Sequence, residues 1–153
     1  MQVFDILTRE RVVCGIKARS KKAILEALAN LIASPASELA SAEVFNSLLS
    51  RERLGSTGLG HGVAIPHGRI NHGSRTYGAF ARTEEGIDFD ALDNQPVDLF
   101  FSLLVPDKAT DQHLQILAQL AEMFSDDEFL ARLRASRSHD ELFELLTTWT
   151  PRV

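Results

Sequence analysis

His67 is the residue best placed to do chemistry in this chain. It follows Val63-Ala64-Ile65-Pro66 and precedes Gly68, in a stretch where Gly55, Gly58, Gly60, Gly62 and Gly68 fall within fourteen residues. Glycine at that density marks backbone that turns tightly or approaches something closely. Pro66 ends the apolar segment, because it has no N–H for a sheet ladder and drives Ile65 into an extended form. The pattern predicts an imidazole held at a strand end, with little bulk beside it and several backbone N–H groups nearby. A neutral imidazole nitrogen is a competent nucleophile near pH 7. In an anion-friendly pocket that points to phosphoryl transfer through a phosphohistidine, where donors aimed at the equatorial oxygens do most of the catalysis.

His113 is the second candidate. It falls at about the third position of a helix beginning near Thr110, where unpaired N–H groups and the helix dipole disfavour a further positive charge. An imidazole there stays neutral and shares its location with a favourable anion site. Arg51 and Arg53 lie in the last turn of the preceding helix, and a guanidinium suits a phosphoryl group because it is planar, always charged and bidentate. Spacing leaves open which of the two faces the pocket; the other serves as an exposed cation at the helix end. Ser56 and Thr57, in the glycine-rich loop, are expected to donate to an anion.

The remaining histidines are assigned no role. His61 sits between two glycines as a solvent-facing loop residue, His72 lies in a polar turn, and His139 opens the last helix. His61, His67 and His72 are close in sequence, but their spacings match no recurrent zinc pattern and there is no second cysteine, so no metal site is expected. There is no G-x-S-x-G elbow, and GSTGLG lacks the Gly-Lys-Ser/Thr ending of a nucleotide P-loop.

These residues need a scaffold, and the periodicity supplies one. Val12 to Ala18 reads as a strand, and Ser20 to Ala33 as a helix with Ile24, Leu28, Leu31 and Ile32 on one stripe. The loop Ser34-Pro35-Ala36-Ser37 precedes a second helix, Ser41 to Glu52, which Gly55 closes. A strand over Arg75 to Arg82 and a turn-rich passage over 83–96 lead to Val97–Val105, almost wholly apolar, as a central strand covered on both faces reads. Three helices follow, two of them opened by the capping-box patterns Ser125-Asp126-Asp127-Glu128 and Ser138-His139-Asp140-Glu141. The expected fold is therefore α/β, a single three-layer domain spanning 1–153.

Composition narrows the setting. The 153 residues suit one domain, and 44% hydrophobic with 24% charged residues is ordinary for a globular chain. A net charge of −5 gives no footprint for nucleic acid or an anionic membrane. Cys14 is the one cysteine and is read as a strand residue; a cytoplasmic protein without membrane insertion is the expectation.

The segment Glu52, Leu59-Gly60, Val63-Ala64-Ile65-Pro66-His67-Gly68 fits in full a known phosphorylation-site pattern. The chain resembles the IIA phosphocarriers of the bacterial phosphotransferase system, of the fructose/mannitol type, and most of all their nitrogen-related branch. Ile87 to Pro106 and the DQHLQILAQLA stretch carry the likeness further, so that it covers nearly the whole chain. The resemblance implies a mixed β-sheet of about five strands with helices on both faces. It implies phosphorylation of His67, usually on Nε2, with His113 supporting the transfer, Arg51 binding the phosphoryl group and Ser56 and Thr57 adding loop contacts. No cofactor is implied. The donor would be an HPr-like phosphocarrier (NPr), with phosphoenolpyruvate as original source. The regulated proteins would be potassium transporters or sensor kinases; the alternative is a sugar-specific IIA component serving a IIB protein. On either reading the chain is a phosphotransferase-type carrier rather than a free-standing enzyme.

Overall fold

A computed structural model describes residues 2–33, 39–71, 73–108 and 110–151. The expected loop Ser34 to Ser37 and the turn residue His72 lie outside the described residues. The elements in order are α1 (Val3–Ile6), a 3-10 turn (Arg9–Arg11), β1 (Val12–Ile16), α2 (Lys21–Ile32), α3 (Ser41–Glu52), β2 (Gly58–Gly60), β3 (Val63–Ala64) and β4 (His67–Ile70). They continue with β5 (Tyr77–Ile87), β6 (Val97–Pro106), α4 (Thr110–Met123), α5 (Asp127–Ala135) and α6 (His139–Thr148).

The organising strand is β6, buried along nearly its whole length as its apolar run requires. β5 pairs with it antiparallel, and the sheet runs β1-β5-β6-β3-β2. On its other side β6 is met in parallel by two short strands in succession: β3 pairs Val63 with Leu99, and β4 pairs His67 with Leu103. They are the two halves of one strand interrupted at Ile65-Pro66, where proline cannot donate to the ladder. Among the described residues the sheet is mixed and has six strands. The one beyond the expected number comes from the short pieces β2 and β4, too brief and too glycine-rich to show a period.

Side chains alternate across the sheet into two cores. Val12, Val63, Ile65, Phe80, Leu99, Phe101, Leu103 and Val105 pack against α1, α4, α5 and α6. Ala64, Ala79, Ala81, Phe100 and Leu104 pack against α2 and α3. That is the three-layer arrangement expected. α2 forms because Ser20 caps it, accepting from the Ala23 N–H at 3.1 Å, and because Ile24, Leu25, Leu28 and Ile32 share one buried stripe.

Three boundaries differ from the expectation. β5 does not stop at Arg82 but continues to Ile87: Arg82 pairs with Leu99 and Ile87 with Val97, so the polar residues between them bulge away from β6. β1 ends at Ile16, after a register shift beyond Val13. The cap of α5 is Asp126, accepting from Phe129 N–H at 3.1 Å, whereas Ser125 Oγ donates back to the Glu122 carbonyl and closes α4. Ser138 does cap α6, accepting from Glu141 N–H at 3.0 Å. Among the described residues, no helix is long and apolar enough to cross a membrane.

Candidate active site

The interruption at Ile65-Pro66 builds the site. With the ladder broken, the Ile65 carbonyl lies 2.8 Å from His67 Nδ1. A carbonyl only accepts, so the proton sits on Nδ1 and Nε2 keeps its lone pair. His67 therefore opens a strand rather than closing one, and it is half-buried on a sheet edge. α4, from the other end of the chain, brings His113 against it: the ring centroids are 5.5 Å apart and the planes meet at 83°. His113 is 6% exposed, and its Nδ1 is buried without a hydrogen-bond partner among the described residues.

From the opposite face of the sheet, α3 reaches the same edge. Its last turn supplies Arg51, whose Nη1 donates to the Gly55 carbonyl at 3.0 Å as the chain turns off the helix. An open pocket of about 610 Å³ lies between the two helices, lined by Ser47, Ser50, Arg51, His67, Arg69 and His113 among others. Of Arg51 and Arg53 it is Arg51 that lines it, together with Arg69. Gly68 lets the layers close: a Cβ there would collide with Ser47 Oγ and lie 3.0 Å from the Ser47 carbonyl carbon. Gly68→Ala is expected to cost about 1–3 kcal/mol in chemical denaturation by wedging α3 off β4.

Ser56 and Thr57, expected to reach an anion, are engaged elsewhere. Ser56 Oγ donates to the Phe89 carbonyl at 2.9 Å and accepts from Gly58 N–H at 3.1 Å. Thr57 is buried, and both its hydroxyl (2.5 Å) and its N–H (3.1 Å) donate to the Glu52 carboxylate. Neither lines the pocket. Their hydrogen-bonding capacity goes to fastening the loop, which the loop's polarity alone did not reveal. His61 is exposed beside Asp127 and His139 is the first residue of α6; both stand away from the pocket. Residues the spacing did not single out are Ser47, Ser50 and Arg69. Arg69 becomes predictable once β4 is known to be a strand, since it lies two residues from His67.

Electrostatics keep both rings neutral. Burial lowers the His67 pKa, the Ile65 carbonyl opposes that, and the charges of Arg51 and Arg69 add to the lowering against Glu52. His113 is held at about 4, chiefly by burial and then by His67 and Arg69. Both folded-state values lie below that of a free imidazole, so the unfolded chain binds more protons in between. The stability His113 contributes is thus complete above about pH 6.5 and is lost as the pH falls toward about 4, and His67 adds a loss in the same direction. Denaturation midpoints at pH 7 and pH 5 should show that loss, and His113→Gln should reduce it. Among the described residues no group of three or more metal-ligating side chains gathers.

A histidine pair and two arginines at one edge of a mixed sheet between helical layers make this an α/β domain of the IIA type. The sequence matches the family "Phosphoenolpyruvate-dependent sugar phosphotransferase system, EIIA 2" over residues 5–149, and the chain belongs to that family. It is 43% identical over 148 residues to the nitrogen regulatory protein of Escherichia coli K12, covering 96% of this chain and 90% of that protein. The crystal structure of nitrogen regulatory protein IIA-Ntr from Neisseria meningitidis superimposes with a TM-score of 0.88 at 44% identity, over 93% of this chain and 97% of that one. The mannitol IIA structure from Escherichia coli matches with a TM-score of 0.77 at 25% identity, over 92% and 98% of the two chains.

Proposed function

We propose that this protein is a phosphocarrier of the nitrogen-related phosphotransferase system, accepting a phosphoryl group on His67 Nε2 from an HPr-like protein (NPr). The observation that carries this reading is the 2.8 Å contact between His67 Nδ1 and the Ile65 carbonyl, which leaves the other nitrogen unprotonated on a ring that shares its pocket with Arg51. In the transfer, the Nε2 lone pair forms a bond to phosphorus as the bond from phosphorus to the donor's ring nitrogen breaks. The donor ring leaves with that electron pair as a neutral imidazole. His67 becomes a phosphorylated ring still carrying its Nδ1 proton, now cationic and stabilised by the Ile65 carbonyl, so no proton has to move. Arg51 offsets charge on the equatorial oxygens. With Nδ1 of His113 buried and unpartnered, the proton of that neutral ring belongs on Nε2, because an orphaned N–H is the costlier defect. Nε2–H can then donate to the phosphoryl group.

Incubation with enzyme I, the HPr-like carrier and phosphoenolpyruvate tests the reading: the chain should take up one phosphoryl group. His113→Ala should still bind the donor but accept phosphate on the order of 10²-fold more slowly, as when one oxyanion donor is removed. A rate within twofold of wild type would contradict that role.

Phosphorylation adds a charge of about −1.5 to −2 to the site, enough to change which partners dock by repulsion and desolvation. The reading accordingly includes regulation of partner proteins, potassium transporters or sensor kinases, by phosphorylation state. Pull-downs with wild type, His67→Ala and His67→Asp should recover different partner sets; identical sets would count against a switch. The second reading, a sugar-specific IIA serving a IIB protein, draws on the likeness to mannitol IIA. Transfer to a fructose- or mannitol-type IIB would support it, but the greater identity to nitrogen regulatory proteins favours the first.

A further inference from the structure

We propose that Arg69 is a second phosphoryl-binding residue, holding the group from β4 while Arg51 holds it from α3. The inference rests on the reading of His67 as the phosphoryl acceptor and adds to it the question of how the charge is balanced. His67 and Arg69 are first and third residues of β4, so their side chains leave the same face of the strand about 6.6–6.8 Å apart. The long arginine stem spans that separation. Both line the one pocket with His113 and Arg51.

The backbone is fixed and the guanidinium is uncommitted. Arg69 pairs with Val105 of β6, and its carbonyl accepts from Ser47 Oγ at 2.7 Å. Its guanidinium, by contrast, makes no hydrogen bond or ion pair with any described residue. Arg11 is tied down to the Gly78 and Ile6 carbonyls, Arg82 to those of Leu133 and Ser136, and Arg134 to Asp98; what sets Arg69 apart from the remaining uncommitted arginines is that it lines the pocket with His67. Arg51 itself is partly engaged, with Nη1 on Gly55. A phosphoryl group near full dianionic charge beside one half-engaged guanidinium is poorly neutralised, and a free second cation two residues from the acceptor corrects this. Its charge already reaches both rings, lowering the pKa of His67 and His113 alike.

The test uses the full chain as wild type, Arg69→Gln and Arg69→Lys, each phosphorylated by enzyme I, the HPr-like carrier and phosphoenolpyruvate. Arg69 is exposed, so matching circular dichroism and melting curves should certify the fold of the variants. Two quantities are read: the equilibrium of phosphoryl exchange with the donor, and the pH titration of the phosphoryl group by phosphorus NMR in the isolated phosphorylated chain. Arg69→Gln should shift the equilibrium about tenfold toward the donor and raise the titration midpoint, with Arg69→Lys recovering part of both. A wild type that is labelled and an Arg69→Gln variant unchanged in both would overturn the role of Arg69 and leave His67 standing. A salt-sensitive fall in donor association alone would mean that Arg69 steers the donor and does not hold the phosphoryl group, which also overturns it. A wild type that takes no label would remove the acceptor and the proposal together.

Discussion

His67→Gln takes up no phosphoryl group from the phosphoenolpyruvate-driven carriers, while its melting temperature stays within a few degrees of wild type. Glutamine keeps a side-chain amide able to donate to the Ile65 carbonyl, so the 2.8 Å tether has a substitute. It cannot replace the lone pair of Nε2, because amide nitrogen is not nucleophilic. The ring is half-buried on an edge strand and belongs to neither hydrophobic cluster, so folding loses little. The effect is of the kind seen when a covalent nucleophile is removed, about 10⁶-fold or below detection. Residual labelling of the variant at a tenth of the wild-type rate would show that another residue accepts phosphate. His113 is the neighbour to examine in that event, at 5.5 Å.

The second large effect is on stability, and it comes from Glu52. Its carboxylate is 2% exposed and is satisfied from three sides: Lys21 Nζ at 2.9 Å, Thr57 Oγ1 at 2.5 Å and Thr57 N–H at 3.1 Å. Glu52→Ala leaves the buried Thr57 N–H and hydroxyl without their acceptor and takes from the half-buried Lys21 ammonium its shortest contact. Removing one member of a buried pair costs about 3–5 kcal/mol, and the loss should appear directly in the denaturation midpoint. Lys21 retains Asp90 at 3.3 Å, and with that partner exposed the outcome belongs at the lower end of the range. Glu52→Gln keeps an acceptor for Thr57 and should cost less than Glu52→Ala. Function should follow stability. The loop that Glu52 holds carries Gly55, whose carbonyl sets the direction of Arg51, so phosphoryl uptake should fall in Glu52→Ala even where the chain remains folded. Equal stability of Glu52→Ala and wild type would show that the loop is fastened by other means.

The centre of the site was legible because it is local. Pro66, His67 and Gly68 are contiguous, and one proline accounts for the broken strand, the freed Ile65 carbonyl and the orientation of the ring. β6 was legible from an apolar run interrupted only by Asp98 and Ser102, and α3 from its closure at Gly55. Illegible were the features set by tertiary contacts and by how the chain folds back on itself. Ser56 looked like an anion donor because nothing local shows that Phe89 occupies its hydroxyl, and Thr57 because spacing does not show that the turn after α3 returns it to the Glu52 carboxylate. Arg69 was passed over because His67 to Ile70, with a glycine in four residues, shows no strand period; its alternation is imposed by pairing with β6. The capping-box pattern at Ser125 was read as opening α5, but Ser125 bonds back to the end of α4 and the cap falls to Asp126.

The most direct measurement is a proton–nitrogen–phosphorus correlation spectrum of the chain after phosphorylation by enzyme I and the HPr-like carrier. One phosphoryl group bonded to Nε2 of His67, with the Nδ1 proton retained, is the result predicted. A phosphoryl group on Nδ1 of His67, on any other residue, or on none would contradict it.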